Sequence, residues 1–128
     1  FYKVKKDIKR YCCGNLRTAY TFCVGWGRTC GSCPLPDILQ EVQINVIVQD
    51  TCTSQWGPNI NDGHICVKGF GIGSCNGDSG GPLVCQVGDE WIQAGLTSWG
   101  YRGCNTDFPS VYSRITFFRT WIKENTGV

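Results

Sequence analysis

Apolar residues along this 128-residue chain recur in short runs broken by clusters of Gly, Pro, Asn and Asp. Six runs read as strands, at about residues 20–26, 39–48, 64–68, 82–87, 91–99 and 110–115. The second shows its two faces: Val42, Ile44, Val46 and Val48 alternate with Gln43, Asn45 and Gln49, the period-two pattern of a half-buried strand. Asn61-Asp62-Gly63 and Asn76-Gly77 are turn signals. Toward the end the period lengthens. Phe117 and Phe118 recur as Trp121 and Ile122, the four-residue step of a short amphipathic helix that Thr116 is placed to cap. The aromatic stripe there reads as core packing. The expected fold class is all-β, a six-stranded antiparallel barrel with a short C-terminal helix. Residues 20–128 form that unit, and residues 1–19 form a basic N-terminal arm or linker. The arm carries Lys3, Lys5, Lys6, Lys9 and Arg10 against Asp7, a run that reads as solvated surface.

Composition narrows the class. At 41% apolar and 17% charged the chain reads as an ordinary globular protein. No apolar run approaches the ~18 residues of a membrane span. Ten cysteines beside a single histidine, with no repeated metal-ligand spacing, argue for disulfides and an oxidising, extracellular compartment rather than for a metal. A secreted chain is expected, with no cofactor. Residue 1 opens directly into Phe1-Tyr2-Lys3-Val4, which reads as a mature or processed chain. A net charge of +2 is too small to imply nucleic acid.

One stretch carries chemistry: Gly73-Ser74-Cys75-Asn76-Gly77-Asp78-Ser79-Gly80-Gly81-Pro82. Glycines on both sides of Ser79 allow positive φ and a close approach by another molecule, with amide N–H groups turned toward an oxyanion. Gly77-Asp78-Ser79-Gly80-Gly81 satisfies the G-x-S-x-G elbow of α/β-hydrolases, but that elbow leads into a helix. Here the β-type run Pro82-Leu83-Val84-Cys85-Gln86-Val87 follows. The longer string from Cys75 to Cys85 instead resembles the serine-nucleophile segment of trypsin- and chymotrypsin-like peptidases. Further matches stand in the family's order: Gly25-Trp26-Gly27, Asp50-Thr51-Cys52, Ile65-Cys66, Ser98-Trp99-Gly100 and Pro109-Ser110-Val111-Tyr112. The resemblance covers about residues 20 to 126 and is to the second barrel of such a peptidase.

That resemblance implies roles. Ser79 is the nucleophile, and the amides of Gly77 and Ser79 form the oxyanion hole. Ser98, Trp99 and Gly100 hold the backbone of a polypeptide substrate as an added strand. Gly73 is the base of the specificity pocket, with Gly100 and Ser110 as its walls, which implies an open, uncharged pocket for apolar or aromatic side chains. Ser110 in place of the usual Gly shortens it, and Asp107 is near enough in sequence to alter the charge. Asp78 is the carboxylate that pairs with a new N-terminal amine on activation. The resemblance also implies the disulfides Cys52–Cys66, Cys75–Cys104 and Cys23–Cys85, although Cys23-Val24-Gly25 is two residues tighter than the family pattern. Cys12, Cys13, Cys30 and Cys33 are left over. Cys30-Gly31-Ser32-Cys33 has redox-motif spacing without a βαβ context and reads as a structural bridge.

The proton acceptor is missing from this pattern. A serine triad needs a His and a carboxylate that orients it. The single histidine, His64, falls inside the loop that Cys52–Cys66 closes and reads as a surface or loop residue. Asp7-Ile8 is similar to the family's Asp-Ile pair, but with too few residues before Cys12. The expected function is therefore the serine-bearing chain of a secreted chymotrypsin-like endopeptidase, inactive alone. A complementary N-terminal-half chain or missing segment supplies His and Asp, with Cys12 or Cys13 as the tether. The alternative is a non-catalytic peptidase homologue, a disulfide-rich secreted protein that binds a partner.

Overall fold

The strand formed by the second apolar run is interrupted at Ile44, and the barrel is organised around that interruption. In the computed structural model, which describes residues 20–128, the run divides into β2 (Gln40–Gln43) and β3 (Asn45–Ile47). The first half pairs with β1 (Tyr20–Gly25) and the second with β4 (His64–Lys68). Ile44 itself is buried, and its amide donates to the Thr21 carbonyl at 2.9 Å. With β5 (Pro82–Val87), β6 (Glu90–Trp99) and β7 (Ser110–Arg114), the sheet runs β2-β1-β5-β6-β7-β4-β3, antiparallel at every pairing. Its two outermost strands are consecutive pieces of one run, so the sheet curls into a nearly closed barrel. The six expected runs thus appear as seven strands because one bends between two neighbours.

Side chains from alternate positions fill the barrel. Cys23, Ile44, Ile65, Val67, Leu83, Cys85, Ile92, Ala94 and Tyr112 form one buried cluster. A smaller cluster of Cys52, Ile60, Cys66 and Val111 lies beside it, with Trp56 and Trp99 packed against it. On β4, Ile65 and Val67 face the first cluster while Cys66 between them faces the second, as the two-residue period requires. The hairpin from β5 to β6 turns through Gly88 and Asp89, with Gly88 at φ 60°, the left-handed geometry that a two-residue hairpin turn favours.

Two helices flank the barrel. Helix α1 (Gln49–Trp56) was not predicted from the sequence. It is short and polar, and only Cys52 is buried; the disulfide from Cys52 to Cys66 ties it to β4. Helix α2 (Ile115–Thr126) ends at Gly127 in the left-handed conformation, whose amide donates to the Lys123 carbonyl at 2.9 Å. Two expectations for α2 are corrected. Arg114 occupies the cap position, leaving Thr116 inside the first turn, and no side chain caps the helix. The aromatic stripe is not core: Phe117, Phe118 and Trp121 are 56, 40 and 62% exposed. The barrel is already filled by its own strands and leaves α2 no interior to enter. The basic arm, Asp7, Cys12 and Cys13 lie outside the described residues.

Candidate active site

The stretch around Ser79 is a backbone-bonded turn clamped by its neighbours. The Asp78 amide donates to the Cys75 carbonyl at 3.0 Å and the Gly81 amide to the Asp78 carbonyl at 2.8 Å. Gly77 and Gly80 take φ of 101° and 79°, which a side chain would resist. Thr97 of β6 grips the far side: Gly80 donates to its carbonyl and its amide donates to the Gly81 carbonyl, both at 2.9 Å. The Arg28 amide holds the Asn76 carbonyl at 2.9 Å, and the disulfide Cys75–Cys104 joins the turn to the segment after β6.

Asp78 is buried under this turn. Its Oδ1 accepts from the Gly27 amide at 2.8 Å and its Oδ2 from the Cys75 amide at 2.9 Å. Two backbone amides thus satisfy the carboxylate here. A Cβ on Gly25 or Gly27 would overlap the carboxylate, which explains the Gly25-Trp26-Gly27 pattern physically. A second cavity of about 230 Å³ opens beside Asp78, with Gly25, Gly27, Cys23 and Gly73 among its lining.

Ser79 is exposed at the edge of a cavity of about 350 Å³. Among the described residues, no acceptor takes the Gly77 or Ser79 amide, and no base lies within hydrogen-bond distance of the Ser79 hydroxyl. The cavity brings together Ser79, Ser98, Trp99, Gly100 and Ser110, but not Gly73. Ser110 forms that end instead, its Oγ 3.1 Å from where a Cβ on Gly73 would stand. Gly73 faces the second cavity. Asp107 is absent from the lining, and its carbonyl accepts from Lys68 Nζ at 2.7 Å. Arg102, overlooked in the sequence, is the only charged lining residue among the described residues, so the expected uncharged pocket is corrected to one bordered by a cation. Its segment, a 3₁₀ turn from Arg102 to Cys104, has no periodic signature.

The edge of β6 continues past its last β5 pair, Pro82 with Leu96. Its register with β7 shifts between Thr97 and Trp99, a bulge at Ser98 that turns the strand end beside the cavity. Trp99 packs edge-on against Trp56 with ring centres 4.9 Å apart, and Trp56 Nε1 donates to the Pro109 carbonyl at 3.1 Å. Tyr101 stacks on Phe108 at 4.2 Å. This aromatic backing to the cavity wall joins three separate segments, around Trp56, Trp99–Tyr101 and Phe108, and was not readable beforehand.

His64 is not part of the cavity. It is on β4 opposite Ser113, its Nδ1 accepts the Asn61 amide at 3.1 Å, and its ring meets the edge of Trp99 at 6.0 Å.

The disulfides Cys52–Cys66 and Cys75–Cys104 are present, and Cys30 is bridged to Cys33. The expected Cys23–Cys85 bridge is not formed. The β1–β5 register sets Cys85 opposite Thr21, and Cys23 opposite Leu83. The two sulfurs are therefore diagonal neighbours, and such positions are about 7–8 Å apart, beyond disulfide reach. The tight Cys23-Val24-Gly25 spacing is the cause: it leaves Thr21, whose hydroxyl is 3.5 Å from Cys85 Sγ, in the bridging position. Cys23 Sγ accepts instead from the Tyr112 hydroxyl at 3.0 Å. Ser74 and Thr97 bond the same hydroxyl. Burial pushes the Cys23 thiol up, with the Tyr112 hydrogen bond opposing and Asp78 adding. Burial likewise drives Tyr112 well above the ordinary phenol range, with Cys23 adding.

The family model described as Trypsin matches residues 5–122. "Fibrinolytic enzyme, isozyme C" of Lumbricus rubellus is 47% identical over 120 residues, covering 84% of this chain and 49% of that protein. "Serine protease 1" of Drosophila melanogaster is 42% identical over 106 residues, covering 81% and 38%. The "chymotrypsin-like serine proteinase" of Haliotis rufescens is 41% identical over 92 residues, covering 69% and 35%. The chain thus spans half or less of the length of these relatives.

Proposed function

The chain belongs to the trypsin family of chymotrypsin-like serine proteases, and on that premise we propose that it is the serine-bearing part of a secreted endopeptidase. A complementary N-terminal half supplies its His and Asp. The observation that carries this reading is the exposed Ser79, presented on a clamped glycine turn at the mouth of a cavity, beside amides that no described group accepts.

In the proposed reaction the Ser79 oxygen attacks a peptide carbonyl while a His of the companion half takes its proton. The amides of Gly77 and Ser79 hold the oxyanion, a contribution of about 10²–10³ in rate per donor. The proton passes to the departing amine, and water then releases the acyl group from Ser79. The substrate backbone lies along Ser98–Gly100, and its side chain before the scissile bond enters the cavity. Ser110 and Gly100 bound that cavity and Arg102 stands at it, so apolar and aromatic side chains are accepted and Lys or Arg disfavoured. The cavity beside Asp78 receives the activating amine.

Three features support the companion. His64 is engaged away from Ser79. The matched regions make up only 49% and 38% of two of the relatives. The α2 aromatics, with Trp26, Leu35 and Ile38, are exposed apolar groups of the kind an interface covers. Cys12 or Cys13 is the proposed tether.

The test is an organophosphorus serine reagent applied to native material, followed by intact mass and peptide mapping. Labelling at Ser79 together with a second polypeptide, or a longer precursor mass, is the expected result. A lone chain that never reacts sinks the proposal and leaves the non-catalytic binding homologue in its place.

A further inference from the structure

The loop Cys30-Gly31-Ser32-Cys33 is closed on itself by a disulfide, with the cysteine Cα atoms 5.0 Å apart and the Cys33 amide donating to the Cys30 carbonyl at 3.1 Å. Its apex touches the cavity rim. A Cβ on Gly31 would fall 2.8 Å from the carbonyl carbon of Gly103 and 3.0 Å from its Cα, so the two backbones meet with no room for a side chain. Gly103 stands between Arg102 and Cys104, and all three line the cavity at Ser79. At the other end of the loop the Arg28 guanidinium donates to the Cys33 carbonyl, while the Arg28 amide holds Asn76 in the nucleophile turn. One short loop therefore spans from the turn bearing Ser79 to the opposite rim.

That rim has little regular support of its own. Tyr101, Arg102 and Gly103 are exposed, and the segment is a single 3₁₀ turn held by the Cys104 amide on the Tyr101 carbonyl at 3.1 Å and by the Cys75–Cys104 bridge. We infer that the disulfide-closed loop 30–33 is a positioning element that sets the width of the substrate cavity by bracing Gly103 from outside. Closing so short a loop removes its alternative conformations, so Gly31 meets Gly103 at one fixed height. The loop touches no substrate. Its effect falls on side chains large enough to reach the rim, and a small side chain does not sense it.

The inference rests on Ser79 being the nucleophile for its catalytic readout, but not for its structural one. In the full native protein, Gly31→Ala and the double variant Cys30→Ser/Cys33→Ser are compared with wild type on two peptides differing only in Phe or Ala before the scissile bond. The ratio of kcat/KM for Phe over Ala falls about tenfold in both variants, mostly through KM for the Phe peptide. The rate of Ser79 labelling by a small organophosphorus reagent stays at the wild-type value, while the thermal midpoint falls modestly in both variants. Hydrogen exchange of the 101–104 amides quickens in the double variant, a readout that needs no activity. Equal losses on both peptides, an unchanged ratio, or unchanged exchange at 101–104 each overturn the bracing role. Wild type that neither cleaves nor labels overturns the nucleophile assignment instead, and the exchange measurement still decides the brace.

Discussion

The Gly27 amide donates to the Asp78 carboxylate across 2.8 Å, and a side chain on Gly27 would occupy the space of that carboxylate. Gly25 meets the same carboxylate. The Gly27→Ala variant must therefore displace Asp78 and, through it, the turn that carries Ser79. We expect a loss of about 1–3 kcal/mol, the usual penalty of overpacking, together with slower labelling of Ser79. Urea unfolding and the rate of organophosphorus incorporation check the two effects separately.

Removing the hydroxyl of Ser79 touches no packing, because the side chain is exposed. The Ser79→Ala variant of the complete protein should unfold within about 0.5 kcal/mol of wild type yet lose peptide hydrolysis by about a thousandfold or more. Retained hydrolysis would show that another group attacks the substrate.

Ser110 closes the end of the cavity where Gly73 stands behind it. The Ser110→Gly change should lengthen the cavity and raise kcat/KM for aromatic over small side chains by about tenfold. Cleavage profiles on a peptide series varying only the residue before the scissile bond measure this directly.

Alkaline pH should expose the Tyr112–Cys23 pair. Burial raises both groups above their ordinary values of 10.0 and 9.0, so each stays protonated in the fold while the unfolded chain ionises. Their contribution is complete below about pH 9 and is lost as pH rises toward the folded values, since the unfolded state then binds fewer protons. Tyr112→Phe should cost about 1–2 kcal/mol at neutral pH and flatten the alkaline fall. Urea midpoints measured from about pH 8 to about pH 10.5 give both numbers.

The exposed face of α2 should matter only when the companion half is present. Phe117→Ser and Trp121→Ser are surface changes in this chain, so each leaves its unfolding within about 0.5 kcal/mol while weakening retention of the companion in size-exclusion chromatography.

Much of this architecture could be read from the residues because strands leave a period-two trace. Val42 to Val48 announced a strand, and only the bend at Ile44, set by two different neighbours, lay outside any local pattern. Helix α1 escaped because its eight residues bury just one side chain and depend on a disulfide. The Phe117 stripe misled because an apolar face reports what a segment can cover, not whether the partner is in the same chain. Ser79, Ser98, Trp99, Gly100 and Ser110 could be placed together by resemblance. Cys23 could not: its partner depends on register, and a two-residue shortening moved it along the strand to face Tyr112. Arg102 and the Gly31–Gly103 contact come from loops, where composition says little about what meets what.

The bend at Ile44 also bears on how this chain behaves in a crowded solution. An open sheet offers unpaired amides and carbonyls along its outer strands, a ready template for sticking to a copy of itself. Joining the outermost strands through one residue leaves little such rim. Self-association of a stray chain would therefore proceed through the bare rings of its last helix, and mild detergent, rather than strand-breaking substitutions, should keep it dispersed.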